Sequence, residues 1–214
     1  MTETNTSGII TAAADIIAGA FNALPKRVCN QHKFSDYADY LHENLPAQAE
    51  LDLQREKPLN PAPLVSVAIA CSGASRAAVR STLEALGKQT YANFEVCVVS
   101  ELAQAGLTDY EGIPKFRLVL FNGTAHEQLK AAEKMLNGAY FLLLLPGDLP
   151  APDALHMLVL QTHANPEAEV VFADEDSVID GIRQNPIFKP DYGRDTLRSF
   201  NSIGRPMLVS KRVP

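Results

Sequence analysis

The sequence predicts an α/β protein with a mostly parallel sheet covered on both faces, and three observations carry that reading. Short continuous runs of Val, Leu and Ile recur from Leu64 onward. They alternate with segments of helical periodicity, the pattern of strands buried between helices. A proline-rich stretch separates them from a helical start. The 214 residues are 46% hydrophobic and 21% charged, which suits one full domain with an appendage and not a disordered chain.

In chain order, residues 1–56 read as a helical N-terminal extension, 57–64 as a linker containing Pro58, Pro61 and Pro63, and 65–214 as the α/β domain. Ser7 is placed to cap a helix from Gly8 to Leu24, which Pro25 stops. Its residues Ile9, Ile10, Ile16, Ile17, Phe21 and Leu24 cover one half of a helical wheel, opposite Thr11, Asp15 and Asn22. Such a face needs cover from its own domain, from a second copy in a homodimer, or from a membrane surface. The helix has no Lys or Arg of its own, which favours protein over lipid. A second helix is expected from Asp36 to Leu45, ended by Pro46.

The α/β part opens with a strand at Val65–Ala70, after which Ser75 caps a helix over Arg76–Lys88. Strands follow at Glu95–Val99 and Arg117–Phe121. A helix over Ala125–Leu136 leads into a strand at Tyr140–Leu145. Pro152 opens a helix that ends at Asn165-Pro166, and Val170–Ala173 is the next strand.

The net charge of −6 leaves no surplus of cations to neutralise phosphates, which argues against a nucleic-acid partner. Cys29, Cys71 and Cys97 form no metal-ligand spacing, and two of them fall in expected strands. A reducing, cytoplasmic compartment is the simplest expectation. The longest apolar run, Tyr140 to Leu145, is far short of the roughly 20 residues that cross a bilayer. Met1–Thr4 lacks the basic stretch that opens a signal peptide.

Cys71-Ser72-Gly73-Ala74-Ser75 has one glycine where a dinucleotide fingerprint needs three, and it is no Walker loop. The five histidines, His32, His42, His126, His156 and His163, read as surface or packing residues. The second strand runs into Ser100-Glu101 and the fourth into Leu145-Pro146-Gly147-Asp148. Val170–Ala173 runs into Asp174-Glu175-Asp176, followed by Asp180-Gly181-Ile182-Arg183 and by Phe188-Lys189-Pro190-Asp191-Tyr192. Three adjacent carboxylates repel one another unless solvent or cations compensate them. Two readings stand: a solvated turn backed by an Asp180-Gly181 hairpin, or carboxylates converging at one sheet edge. The second would suit a hard divalent cation and, through it, a diphosphate.

Several of these blocks resemble the family 2 glycosyltransferases of GT-A fold. Val65–Ala70 is similar to their first strand. Ser81–Leu86 and Gln89-Thr90-Tyr91-Ala92-Asn93-Phe94-Glu95-Val96 resemble the helix and link to their second strand. Gly138–Leu145 is similar to the strand that enters their Asp-x-Asp metal motif. The segment from Asp174 to Tyr192 resembles a bacterial branch that builds O-antigen and related surface polysaccharides. The likeness covers residues 64–214.

The resemblance implies an inverting glycosyltransferase that takes a nucleotide-diphosphate sugar, with Mg²⁺ or Mn²⁺, and a glycan or lipid-linked acceptor. It implies nucleotide and sugar contacts at Cys71, Ser72, Gly73, Ser100 and Glu101. Asp174, Glu175 and Asp176 would face the sugar or metal, and Asp148 would hold the metal. Ser100-Glu101 stands where the family has an Asp pair, and Leu145-Pro146-Gly147-Asp148 keeps only the last carboxylate of Asp-x-Asp-Asp. The family's general base lies beyond Pro214, so no catalytic residue is assigned and the isolated chain is expected to transfer little sugar. The alternative is a degenerate GT-A domain that binds a partner or glycan without catalysis. The expected location is the cytoplasm, at the inner membrane face if the first helix binds lipid.

Overall fold

The computed structural model describes residues 34–101, 113 and 115–212. The expected Gly8–Leu24 helix, and with it the homodimer and membrane expectations, lie outside the described residues. The chain begins with α1 (Phe34–Asn44) and α2 (Gln48–Glu56), then β1 (Val65–Ala70), α3 (Arg76–Leu86), β2 (Phe94–Ser100) and β3 (Phe116–Leu120). It continues with α4 (Ala125–Glu133), β4 (Tyr140–Leu144), α5 (Ala154–Ala164), β5 (Val170–Phe172), β6 (Glu175–Ile179) and β7 (Ile182–Ile187). It closes with α6 (Arg194–Ser199) and β8 (Met207–Ser210).

The fold is α/β, as expected. Six strands form one sheet in the order β3-β2-β1-β4-β8-β5. β1 pairs in parallel with β2 and β4, and β2 with β3. β8 lies antiparallel between β4 and β5, so β5 points the same way as the parallel set. The sequence reading contained neither β8 nor that insertion.

Strand alternation divides the interior into two unequal cores. Val65, Val67, Ile69, Val96, Val98 and Leu142 face α3 and α5, where Leu83, Leu86, Leu155 and Val159 complete the larger core. Burying each such side chain contributes roughly 1.5–3 kcal/mol. The opposite face is thinner: Cys97 and Val99 pack on Ala132 and Leu136 at and beyond the end of α4.

The Gln89–Val96 link fastens distant segments to this sheet through its polar side chains. Gln89 donates to the Ala151 carbonyl (2.6 Å) and accepts from Leu155 N–H (3.0 Å) at the start of α5. Thr90 donates to Gln54 of α2 at 2.6 Å. Tyr91 and Asn93 donate to the carbonyls of Pro63 (2.5 Å) and Ala62 (2.7 Å). Glu95, inside β2, accepts from Ser66 Oγ and from Asn137 N–H. Gly138 sits against this network so closely that a Cβ there would lie 2.7 Å from Ser66 N and 2.8 Å from the Leu64 carbonyl. Only glycine fits without moving backbone.

Downstream, β6 and β7 form a separate two-stranded hairpin. Asp180 and Gly181 have φ of 53° and 79°. Two consecutive positive φ values are those of a type I′ turn, which Asp-Gly favours. The hairpin expected at Asp180-Gly181 is therefore present. Among the described residues, no helix is long and apolar enough to cross a membrane.

Candidate functional site

β1, β2, β4 and β5 all end at the same sheet edge, and the segments that leave them carry every residue singled out above. The loop after β1 is held by Cys71 N–H donating to the Val99 carbonyl at 2.9 Å and by Ala74 N–H donating to Cys71 at 3.1 Å. Burial pushes the Cys71 thiol up to about 12, so it is no nucleophile at neutral pH. Ser72 Oγ donates to Glu101 Oε1 at 3.1 Å, which joins two of the expected contacts across β1 and β2. Ser100 is buried at the end of β2, and its carbonyl accepts from Phe121 N–H at 2.9 Å.

The turn after β4 is closed by its own aspartate. Asp148 Oδ2 accepts from Leu145 N–H at 2.7 Å, while Asp148 N–H donates to the Leu145 carbonyl at 2.9 Å. Gly147 N–H donates to Thr82 Oγ1 and to the Ala78 carbonyl, which ties the turn to α3. The second Asp148 oxygen faces Arg205 Nη2 at 3.5 Å. Arg205 comes from the loop entering β8, the strand that lies beside β4.

The acidic cluster is compensated by the chain's own groups. Asp174 Oδ1 accepts from Lys189 N–H at 2.7 Å. The Lys189 side chain, 1% exposed, has its Nζ 3.8 Å from Glu175 Oε1 and donates to the Arg205 carbonyl at 2.7 Å. Asp176 Oδ2 accepts from Arg183 Nε at 2.6 Å and from Tyr37 Oη at 2.5 Å. Burial first, and then the hydrogen bond to Asp176, push the Tyr37 hydroxyl well above its ordinary value, so it stays protonated and donates.

These groups border a cavity of about 1540 Å³ between α1, the β4–α5 loop, β5 and the hairpin. Asp148 and Asp174–Asp176 line it, whereas Ser72 and Glu101 lie outside that lining on the neighbouring part of the edge. Seven carboxylates in the lining face three cations, Arg183, Lys189 and Arg205.

Among the described residues, no group of three or more His, Cys, Asp or Glu side chains is arranged to hold a metal ion. Asp148 offers one carboxylate with a cation already beside it. One carboxylate suits a small divalent cation only when substrate phosphates and water supply the remaining oxygens.

Tyr37, Arg183, Lys189 and Arg205 were not among the residues singled out as contacts. Arg183 and Lys189 sit inside the acidic blocks, where the need to neutralise three carboxylates was a usable signal. Tyr37 is 139 residues from its partner and carries no local signal.

No family model matches the chain. The protein y4gI of Sinorhizobium fredii is 33% identical over 150 residues, covering 66% of this chain and 16% of that protein. The O-antigen biosynthesis protein RfbC of Myxococcus xanthus is 26% identical over 187 residues, covering 83% of this chain and 15% of its own length. The chain thus spans about a sixth of these relatives. Among solved structures, Staphylococcus aureus TarS 1–349 in complex with UDP aligns with a TM-score of 0.45 at 15% identity, over 55% of this chain and 37% of that one. The mannosyltransferase PcManGT of Pyrobaculum calidifontis, in complex with GDP-Man and Mn²⁺, aligns with a TM-score of 0.44 at 20% identity, over 77% and 47%.

Proposed function

We infer that this chain is the nucleotide-sugar-binding part of an inverting family 2 glycosyltransferase that serves bacterial polysaccharide assembly. The observation that carries the reading is the placement of Ser72–Glu101, Asp148–Arg205 and Asp174–Asp176 along one carboxyl edge, where open α/β sheets bind ligands. The motif resemblance and the name of the Myxococcus relative point the same way.

In this reading the open loop at Cys71–Gly73, with Ser72 and Glu101, contacts the nucleoside. Arg205 lies where it can meet the negative charge of the diphosphate. Asp148 would hold Mg²⁺ or Mn²⁺ jointly with the diphosphate's own oxygens, and that cation would supply charge neutralisation for the leaving group. In the transfer, an acceptor hydroxyl oxygen forms the new bond to the anomeric carbon as the bond to the diphosphate oxygen breaks. The nucleoside diphosphate leaves with that electron pair, and the acceptor proton passes to a general base that is not assigned among the described residues.

A second reading, a binding module without transfer, is favoured by the state of Asp148, whose two oxygens face Leu145 N–H and Arg205. Calorimetric titration with UDP, GDP, ADP, CDP and dTDP, with and without Mn²⁺, separates the outcomes. One nucleoside diphosphate should bind, Mn²⁺ should tighten it, and Asp148→Ala should remove the Mn²⁺ dependence. Binding that ignores Mn²⁺ favours the second reading, and no binding of any nucleotide removes the first.

A further inference from the structure

The far wall of the cavity is built by α1 and the β6–β7 hairpin, whose aromatic side chains have no task in the donor reading. Tyr37 and Tyr40, three residues apart on one face of α1, stack with ring centroids 6.0 Å apart. Phe188 meets both rings edge-on, at 6.4 Å and 5.1 Å. The aromatic lining extends to Tyr192, and Tyr40, Phe188 and Tyr192 are 40%, 50% and 70% exposed. Large rings gathered at the rim of a groove mark a surface that something covers. Beneath them lies Asp176, whose hydrogen bonds from Tyr37 and Arg183 both fall on Oδ2, so the carboxylate is fixed in orientation.

The chemistry of the wall selects among occupants. Away from the Asp148–Arg205 pair, six carboxylates (Asp153, Glu167, Asp174, Glu175, Asp176 and Asp191) stand against two cations, Arg183 and Lys189, which disfavours a polyanion or an anionic lipid headgroup there. An alkyl chain would strip water from those carboxylates, which outnumber the cations beside them. A saccharide satisfies both constraints: the C–H face of a pyranose packs on an aromatic ring, and its rim of hydroxyls donates to carboxylates. A cavity of about 1540 Å³ exceeds the roughly 300–1,000 Å³ of an ordinary small-molecule site, so it has room for several sugar rings.

We propose that this groove binds a saccharide chain, with Tyr40, Phe188 and Tyr192 as the stacking ledge and Asp176 as the acceptor of sugar hydroxyls. Tyr37 is a positioning residue that holds Asp176 in place. The proposal rests on the glycosyltransferase reading, names the acceptor side of that site, and makes α1 a wall of it.

The test probes the intact chain against an array of neutral bacterial oligosaccharides, with a basic decapeptide and phosphatidylglycerol vesicles alongside. At least one neutral oligosaccharide should bind. Loss of one stacking ring in Tyr40→Ala or Tyr192→Ala should weaken it about three- to tenfold. Tyr37→Phe and Asp176→Asn should each weaken it about fivefold, and the double variant by little more than either single one. That non-additivity is a signature that general loosening of the fold would not produce, and Tyr40→Ala and Tyr192→Ala, which lie outside the donor contacts, should leave nucleoside diphosphate affinity unchanged. Nucleoside diphosphate binding without binding of any oligosaccharide overturns the groove and leaves the donor reading standing. Preference for the peptide or the vesicles overturns it as well. Oligosaccharide binding with no nucleotide binding keeps the groove as a glycan site and removes the glycosyltransferase reading.

Discussion

Two glutamates at opposite ends of β2, Glu95 inside it and Glu101 just past it, meet opposite fates. At the amino edge, Glu95 is 1% exposed and accepts from Ser66 Oγ at 2.7 Å, Asn137 N–H at 2.6 Å and Arg117 Nη1 at 3.2 Å. Ser66 Oγ in turn accepts from Gly138 N–H, and Arg117 also donates to the Met135 carbonyl. At the carboxyl edge, Glu101 is exposed and its side chain accepts from Ser72 alone among the hydrogen bonds between described residues. A buried carboxylate is tolerated only when its oxygens are saturated, and a saturated carboxylate has no capacity left for a ligand. The Gln89–Val96 block, for all its specificity as a motif, therefore belongs to architecture, and binding capacity lies at the other end of the strand.

The largest effect should come from breaking the saturated end. Glu95→Ala leaves Ser66, Asn137 N–H and Arg117 without their carboxylate, a loss of about 2–4 kcal/mol. Chemical denaturation should show that loss, while nucleotide affinity of the folded fraction stays at the wild-type value. A change below about 0.5 kcal/mol, the range of an ordinary surface substitution, would break the contrast between the two edges.

At the open end the signs reverse. Ser72→Ala and Glu101→Ala each remove one partner of a single 3.1 Å bond in an exposed setting. Stability should stay within about 0.5 kcal/mol of wild type. Nucleoside diphosphate affinity should fall about three- to tenfold, the worth of one hydrogen bond. An unchanged dissociation constant by calorimetry, with either variant, would take Ser72 and Glu101 out of the site.

The same division explains what could be read from the sequence. β1–β4 and the helices between them were legible because continuous Val and Leu runs have no other use than burial between two layers. β8 was not, since Met207–Ser210 is four residues long and enters the sheet from a distant point in the chain. The Asp180-Gly181 hairpin was legible, and its first strand β6 begins inside the acidic cluster, whereas among the described residues no three carboxylates come together as the cation site that their convergence would make. The demand for positive charge beside Asp174–Asp176 followed from Coulomb repulsion alone. Its sources, Lys189 and Arg183, and the pairing of Arg205 with Asp148, depend on how the hairpin and the β8 loop fold back. Tyr37 shows the limit: its bond to Asp176 is tertiary and leaves no trace in local pattern.

His156 supplies a third combination, burial with only partial compensation. It sits 7% exposed on α5, the helix whose first turn is held by Gln89. Burial lowers its pKa below the ordinary value of about 6.5, and the neighbouring Asp153 offsets this only in part. A histidine with a depressed folded pKa binds fewer protons folded than unfolded, so stability falls as pH drops through the unfolded value and is fully present above it. Melting temperatures should therefore decline as pH is lowered from about 7.5 through 6.5, the smallest of the expected effects. His156→Leu, which keeps bulk and removes the titration, should flatten that decline while leaving the carboxylate-driven loss at lower pH in place. An equal decline in the variant would assign the slope to other groups. It would also mean that α5 tolerates a charge at His156, which a buried, poorly partnered position should not.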